Sequence, residues 1–171
     1  MVIEKKTYFY NILKDCMKNM QVYKNNLEII DYVALDKPNP TIQLLLPNAH
    51  NDYNDGKTDD EGMNSRTFKG TQNFRIGYYE PIKKDSKQSR NMREEQSYIY
   101  ESLCSSLRIK MSPLGFDYIN PQTNVKEYNV DVWNIKVTDE DMSIPNPEMD
   151  VIWITLTGII EFRQISHLKI M

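Results

Sequence analysis

From Thr7 to Tyr23 the apolar positions are Phe9, Ile12, Leu13, Cys16, Met17, Met20 and Tyr23. Steps of three and four residues put such positions on one side of a helix, so the spacing predicts an amphipathic helix over this stretch. Asn25 and Asn26 supply its stop, because Asn tolerates the left-handed backbone that ends helices. The period then changes to two. Leu27, Ile29, Asp31, Val33 and Leu35 alternate with their neighbours, as do Ile42, Leu44 and Leu46, and Lys37-Pro38-Asn39-Pro40 lies between them. Prolines block both helix and ladder pairing, so the pattern predicts a hairpin of two strands after the helix.

Pro47 to Asn73 shows neither period and is rich in Asn, Asp, Gly, Ser and Thr, which predicts a long polar loop. Phe74, Ile76 and Tyr78 mark a short strand ended by Pro81. Asn91, with Glu94 three positions on, reads as a helix N-cap. Ile99, Leu103, Leu107 and Met111 continue that helix before Pro113 and Gly115. Tyr128, Val130 and Val132 stand in one strand phase and Trp133, Ile135 and Val137 in the other, which a β-bulge near Val132 and Trp133 reconciles. An acidic, proline-containing turn over Thr138 to Asp150 leads to a last strand with Ile152, Ile154, Leu156, Ile160 and Phe162 on one face, interrupted by a bend at Gly158. The expected fold is therefore α+β: a mainly antiparallel sheet packed by two amphipathic helices, with long polar loops. With no internal repeat and 171 residues, one domain spanning 1–171 is expected.

Composition narrows the function class. Hydrophobic residues make up 40% and charged residues 26%, which fits a chain that folds. A net charge of -3 argues against a dedicated nucleic-acid binder, which needs a basic excess to displace phosphate counterions. No apolar run follows Lys5 and Lys6, so no signal peptide is expected. The longest apolar stretch, Val151 to Ile160, falls far short of the roughly 20 residues a membrane helix needs. Cys16 and Cys104 sit within helical patterns beside apolar neighbours and read as reduced thiols in or near the core. The bias to Lys, Asn and few Ala suits an AT-rich genome and says nothing of mechanism.

Catalytic and cofactor motifs fail one by one. The six glycines are never spaced as a phosphate-cradling loop requires, so no cofactor is expected. His50 and His167 have no nearby Cys or second His at ligand spacing, so no metal is expected either. Cys104 and His167 can be drawn as a nucleophile and base, but no local motif supports them. Asn51 to Gly56 looks like the start of a calcium loop, yet its third position is Tyr53 and its twelfth Gly62, where oxygen ligands are required. A restriction-type nuclease wants a carboxylate two positions before a lysine, and Asn134 occupies that position ahead of Lys136, with Asp131 nearby. The chain is expected not to be an enzyme.

What remains is charge segregation. Residues 50–62 carry Asp52, Asp55, Asp59, Asp60 and Glu61 against Lys57, a net of -4. Residues 82–93 carry Lys83, Lys84, Lys87, Arg90 and Arg93 against Asp85, a net of +4. Charge runs are ordinarily solvated faces. The sharper reading makes these ten residues the candidate interaction site, meeting oppositely charged surfaces on neighbouring subunits, where complementary charge fixes register. Rings of such basic segments would also suit DNA passing through a lumen.

The helix face Phe9 to Tyr23, the strands at Leu27 to Leu46, the helix from Asn91 to Met111 and the strands from Tyr128 to Phe162 together resemble the small tail-terminator and tail-completion (neck) proteins of long-tailed bacteriophages. The resemblance covers most of the chain. It implies a non-enzymatic virion protein, made in the host cytoplasm, that forms a ring with copies of itself, commonly a hexamer. Such a ring sits at the end of the tail tube, joins it to the neck and contacts other tail proteins, with no membrane involved. The 47–73 loop and the segment from Gly115 to Lys126 depart from that pattern and leave neck, sheath-associated and baseplate positions open. A monomeric protein-binding module of the inhibitor or immunity type is the rival from another class.

Overall fold

The computed structural model describes residues 5–18, 20, 27–34, 36–47, 49–58, 65–82, 91–107, 115–142 and 150–167. Helix α1 spans Lys5–Met17 and buries Phe9, Ile12, Leu13, Cys16 and Met17, the side chains its spacing selects. Met20, just beyond it, is buried as well, whereas Tyr23 lies outside the described residues. Helix α2 spans Met92–Ser106. Asn91 caps it through its side chain, which accepts the Glu94 N–H at 3.2 Å and satisfies one of the orphan donors of the first turn. The helix ends at Leu107, and Met111 lies outside the described residues.

Among the described residues seven strands occur, in chain order β1 Glu28–Ile30, β2 Thr41–Leu45, β3 Ala49–Thr58, β4 Ser65–Pro81, β5 Gly115–Ile119, β6 Lys126–Met142 and β7 Val151–His167. They form one sheet in the order β1-β2-β4-β7-β6-β5, with β3 also paired to β4. The sheet is mixed, since β1 runs parallel to β2 and the remaining pairings are antiparallel. The architecture is α+β. Strands β4, β6 and β7 each have 17 residues, or roughly 55 Å of extended chain.

Several expectations change against this frame. The predicted 47–73 loop is largely a ladder: β3 and the first half of β4 pair antiparallel from Ala49↔Gln72 to Thr58↔Arg66, with a register shift between Asp52 and Lys57. Polar residues take strand geometry here because β4, already paired to β7 along its other side, offers a ready backbone template. The predicted hairpin of 27–46 is a parallel pair. After Ile30 the chain turns out of the sheet, Gln43 Nε2 donates to Ala34 O at 2.7 Å, and Glu28 N donates to Pro40 O at 3.0 Å as β2 begins. The predicted turn beginning at Thr138 is still strand, since β6 continues to Met142↔Ile154. The segment from Gly115 to Lys126 is β5 and a tight turn, in which Asn120 N bonds Val125 O and Asn124 takes φ 55.

Both helices lie on one face of the sheet, where Ile42, Leu44, Phe74, Ile76, Tyr78, Val130, Val132 and the apolar row of β7 join α1 and α2 in a single core. Cross-strand neighbours such as Ile76↔Leu156 and Tyr78↔Ile154 build it. The Phe9 and Phe162 rings meet at 5.0 Å, and burying each such side chain is worth about 1.5–3 kcal/mol. Gly158 does not interrupt β7. It sits mid-strand between Phe74 and Val137, and the Phe74 ring and the Lys136 carbonyl occupy the space a side chain would need.

Gly158→Ala forces those two groups apart and is expected to destabilise the fold by about 2 kcal/mol or more. Gly77→Ala meets nothing closer than Gln43 and Trp153 atoms at 3.8 Å and is expected to stay within about 1 kcal/mol of the parent. Thermal or urea unfolding of the two variants reads the contrast directly.

Candidate protein-interaction surface

The ten charged residues expected to form the site are only partly placed. Asp52 and Asp55 lie on β3, where the Asp52 backbone stands in register with Lys69 of β4. Arg93 lies exposed in the first turn of α2. Asp59, Asp60, Glu61, Lys83, Lys84, Lys87 and Arg90 fall outside the described residues.

The sheet itself supplies a surface that sequence reasoning missed. Its inner face carries the helices. Its outer face holds the alternate residues of β4, β7 and β6, and the registers align them in rows: Lys69-Arg163-Asp131, Thr71-Glu161-Asn134, Asn73-Ile159-Lys136, Arg75-Thr157-Asp139 and Gly77-Thr155-Asp141. Charge sorts by strand. The β4 column bears Lys69 and Arg75 and no acid, while the β6 column bears Asp131, Asp139 and Asp141 against Lys136. Lys69, Arg75, Lys136, Asp139 and Asp141 are all exposed.

Along β7 the charged side chains have partners within the chain. Arg163 Nη2 donates to Asp131 Oδ2 at 3.0 Å, and Asn134 Nδ2 donates to Glu161 Oε2 at 2.7 Å. These contacts also occupy two of the residues weighed for a nuclease. No described ion pair or side-chain hydrogen bond involves Lys69, Arg75, Lys136 or Asp141. At one end of this face Tyr79 and Trp153 pack edge to face at 5.9 Å, and beside them Thr155 Oγ1 is buried with no hydrogen-bond partner among the described residues.

The phase of β6 hides this pattern in the sequence. Two register shifts, between Val132 and Asn134 and between Val137 and Asp139, change the residue step at each outward position. The first is the expected bulge, and it leaves Trp133 57% exposed. Beyond Asp131, β6 has no β5 partner, so its 132–142 stretch is an open edge among the described residues. Bulges and charges are what blunt such an edge against indiscriminate strand addition, and Asp139 Oδ1 further accepts the Glu140 N–H at 2.8 Å.

The titratable groups near the core are shifted by burial. Neither cysteine forms a disulfide; Cys16 is buried, and burial pushes the Cys104 thiol up, away from the thiolate a nucleophile needs. Burial pushes the Lys5 ammonium down; its Nζ donates to Gln164 Oε1 at 2.9 Å and lies 5.0 Å from the centre of the Phe162 ring. Among the described residues no group of three or more His, Cys, Asp or Glu is placed to hold a metal ion, and no helix is long and apolar enough to cross a membrane.

Tyr100 ties α2 to the edge of β6. Its hydrogen bond to Glu140, then that to Cys104, raises its phenol above the usual tyrosine range. As pH rises past about 10 the unfolded phenol ionises before the folded one, so this contribution is full below that pH and lost above it. Tyr100→Phe is therefore expected to lower the melting temperature near neutrality and to flatten its fall above about pH 10, as followed by thermal melts across the alkaline range.

No family model matches the chain, and no curated protein matches it. Among solved structures it is similar to the sheath/tube terminator of an extracellular contractile injection system, PVC, in the extended state, with a TM-score of 0.41 and 11% sequence identity. The match covers 100% of this chain and 62% of that one, so the chain spans under two thirds of its neighbour's length.

Proposed function

We propose that this chain is a structural subunit of a phage-type tail, a ring-forming terminator that joins the tail tube to the neck and performs no chemistry of its own. The observation that carries this reading is the one-sided sheet. Two helices cover one face, and the other displays exposed charges of opposite sign on strands about 10 Å apart, with no ion pair between them among the described residues. Oppositely charged surfaces held apart in this way select partners and fix register. The order of elements supports the tail position, since an amphipathic helix, strands, a second helix and closing antiparallel strands follow the arrangement of tail-terminator and neck proteins. In this reading the protein belongs to the virion, contacts copies of itself and other tail proteins, and holds no cofactor. The raised Cys104 thiol and the Arg163-bound Asp131 support a non-catalytic role.

Size-exclusion chromatography with light scattering tests the reading. A ring or a concentration-dependent oligomer is the expected result, and a strict monomer at high concentration would favour a binding module of the inhibitor type. Replacing Lys83, Lys84 and Lys87 together by Ser is expected to weaken assembly and reduce its salt sensitivity, because each lysine lost removes a screened attraction. Unchanged oligomerisation in that variant would remove the basic segment from the interface.

A further inference from the structure

We infer that two copies of this chain pair through the outer faces of β4, β7 and β6, related by a two-fold axis running along β7. The inference uses the premise of self-association and goes beyond the ring. Two sheets can stack with strands aligned or crossed, and aligned packing keeps the strand directions within about 30° of each other. A two-fold along β7 sets the β4 column of one copy over the β6 column of the other. Arg75 then faces Asp139 of the second copy, and Lys69 faces its Asp131 side. A two-fold across the strands would instead set β4 over β4 and β6 over β6, basic on basic and acidic on acidic. Charge complementarity therefore selects the first arrangement.

The central strand agrees with this choice. Ile159, the one apolar residue of the outward β7 column between Thr157 and Arg163, lies near the axis and meets its own counterpart. Arg163 and Glu161 would also meet their counterparts, but both are already engaged within the chain, with Asp131 and Asn134. Glu161 keeps its charge, since Asn134 is neutral, and the other charges without a partner lie in the flanking columns, where opposite signs oppose each other. Three strands over the rows from Lys69 to Tyr79 cover on the order of 500 Å² per copy, the low end of specific interfaces, so pairing depends on concentration and on salt.

Sedimentation equilibrium of Arg75→Glu and Asp139→Arg tests the geometry. Both sites are exposed, so the fold is not at stake, and circular dichroism checks that. Each variant alone places like charges together and is expected to weaken pairing by roughly tenfold or more at low salt. A one-to-one mixture of the two restores opposite charge at both contacts and is expected to return to within about threefold of the parent. Self-association that none of these changes alters overturns the face pairing and leaves the ring reading standing. Weakening by the single variants without recovery in the mixture overturns the two-fold arrangement. A parent chain that stays monomeric at every concentration overturns both the pairing and the ring.

Discussion

Everything else in the structure leans on β7, a 17-residue strand paired along both sides, with β4 through its whole length and with β6 over most of it. Its inward residues Ile152, Ile154, Leu156, Ile160 and Phe162 are fully buried and form the floor on which both helices pack. A strand this long is held flat only with difficulty, because strands twist and bulges concentrate that twist. Gly158 is where the constraint is tightest. The Phe74 ring from β4 and the Lys136 carbonyl from β6 both close over it, so the middle of β7 can be fully enclosed only if that position has no side chain.

The bulges on β6 follow from the same geometry. β6 must keep Val130, Val132, Ile135 and Val137 toward the core while it pairs with a strand that twists, and the two register shifts let it do so at the cost of leaving Trp133 and Thr138 out of step. Thr138 recovers a hydrogen bond by donating its hydroxyl to Thr157 O at 3.2 Å. The shifts also bring Asp131, Asp139 and Asp141 onto one outward column, although in sequence they are eight and two residues apart. A pattern that looks irregular along the chain is regular across the sheet.

This explains what was legible in the sequence. Helical spacing in α1 and α2, the Asn91 cap, the apolar row of β7 and the bulge near Val132 and Trp133 all rest on local rules, and the structure shows each of them. The hairpin of β3 with β4 was not legible, because its polar residues form a ladder only when a neighbouring strand supplies the template. The parallel pairing of β1 comes with the Gln43 side chain bonded to Ala34 O, a contact that no alternation pattern announces. The charged segments chosen from the sequence were contiguous runs, whereas the charges the fold aligns are scattered at steps of two, three and more.

The division of labour between the two faces bears on function. A chain that buried both faces of its sheet would need helices on each side, and among the described residues both helices lie on one. An antiparallel face left to water is ordinary. Sorting of sign by strand is a more specific arrangement, because cross-strand neighbours on one face gain from opposite charge and a mixed arrangement would let each chain satisfy itself. On this sheet the charged side chains of β7 have partners, Arg163 the Asp131 carboxylate and Glu161 the neutral Asn134 amide, while Arg75 and Asp141 on either side of it have none among the described residues. The neutral Thr157 and Thr155 between those columns keep them from closing on each other. The charges without a described partner are thus presented outward, on columns that β7 holds apart.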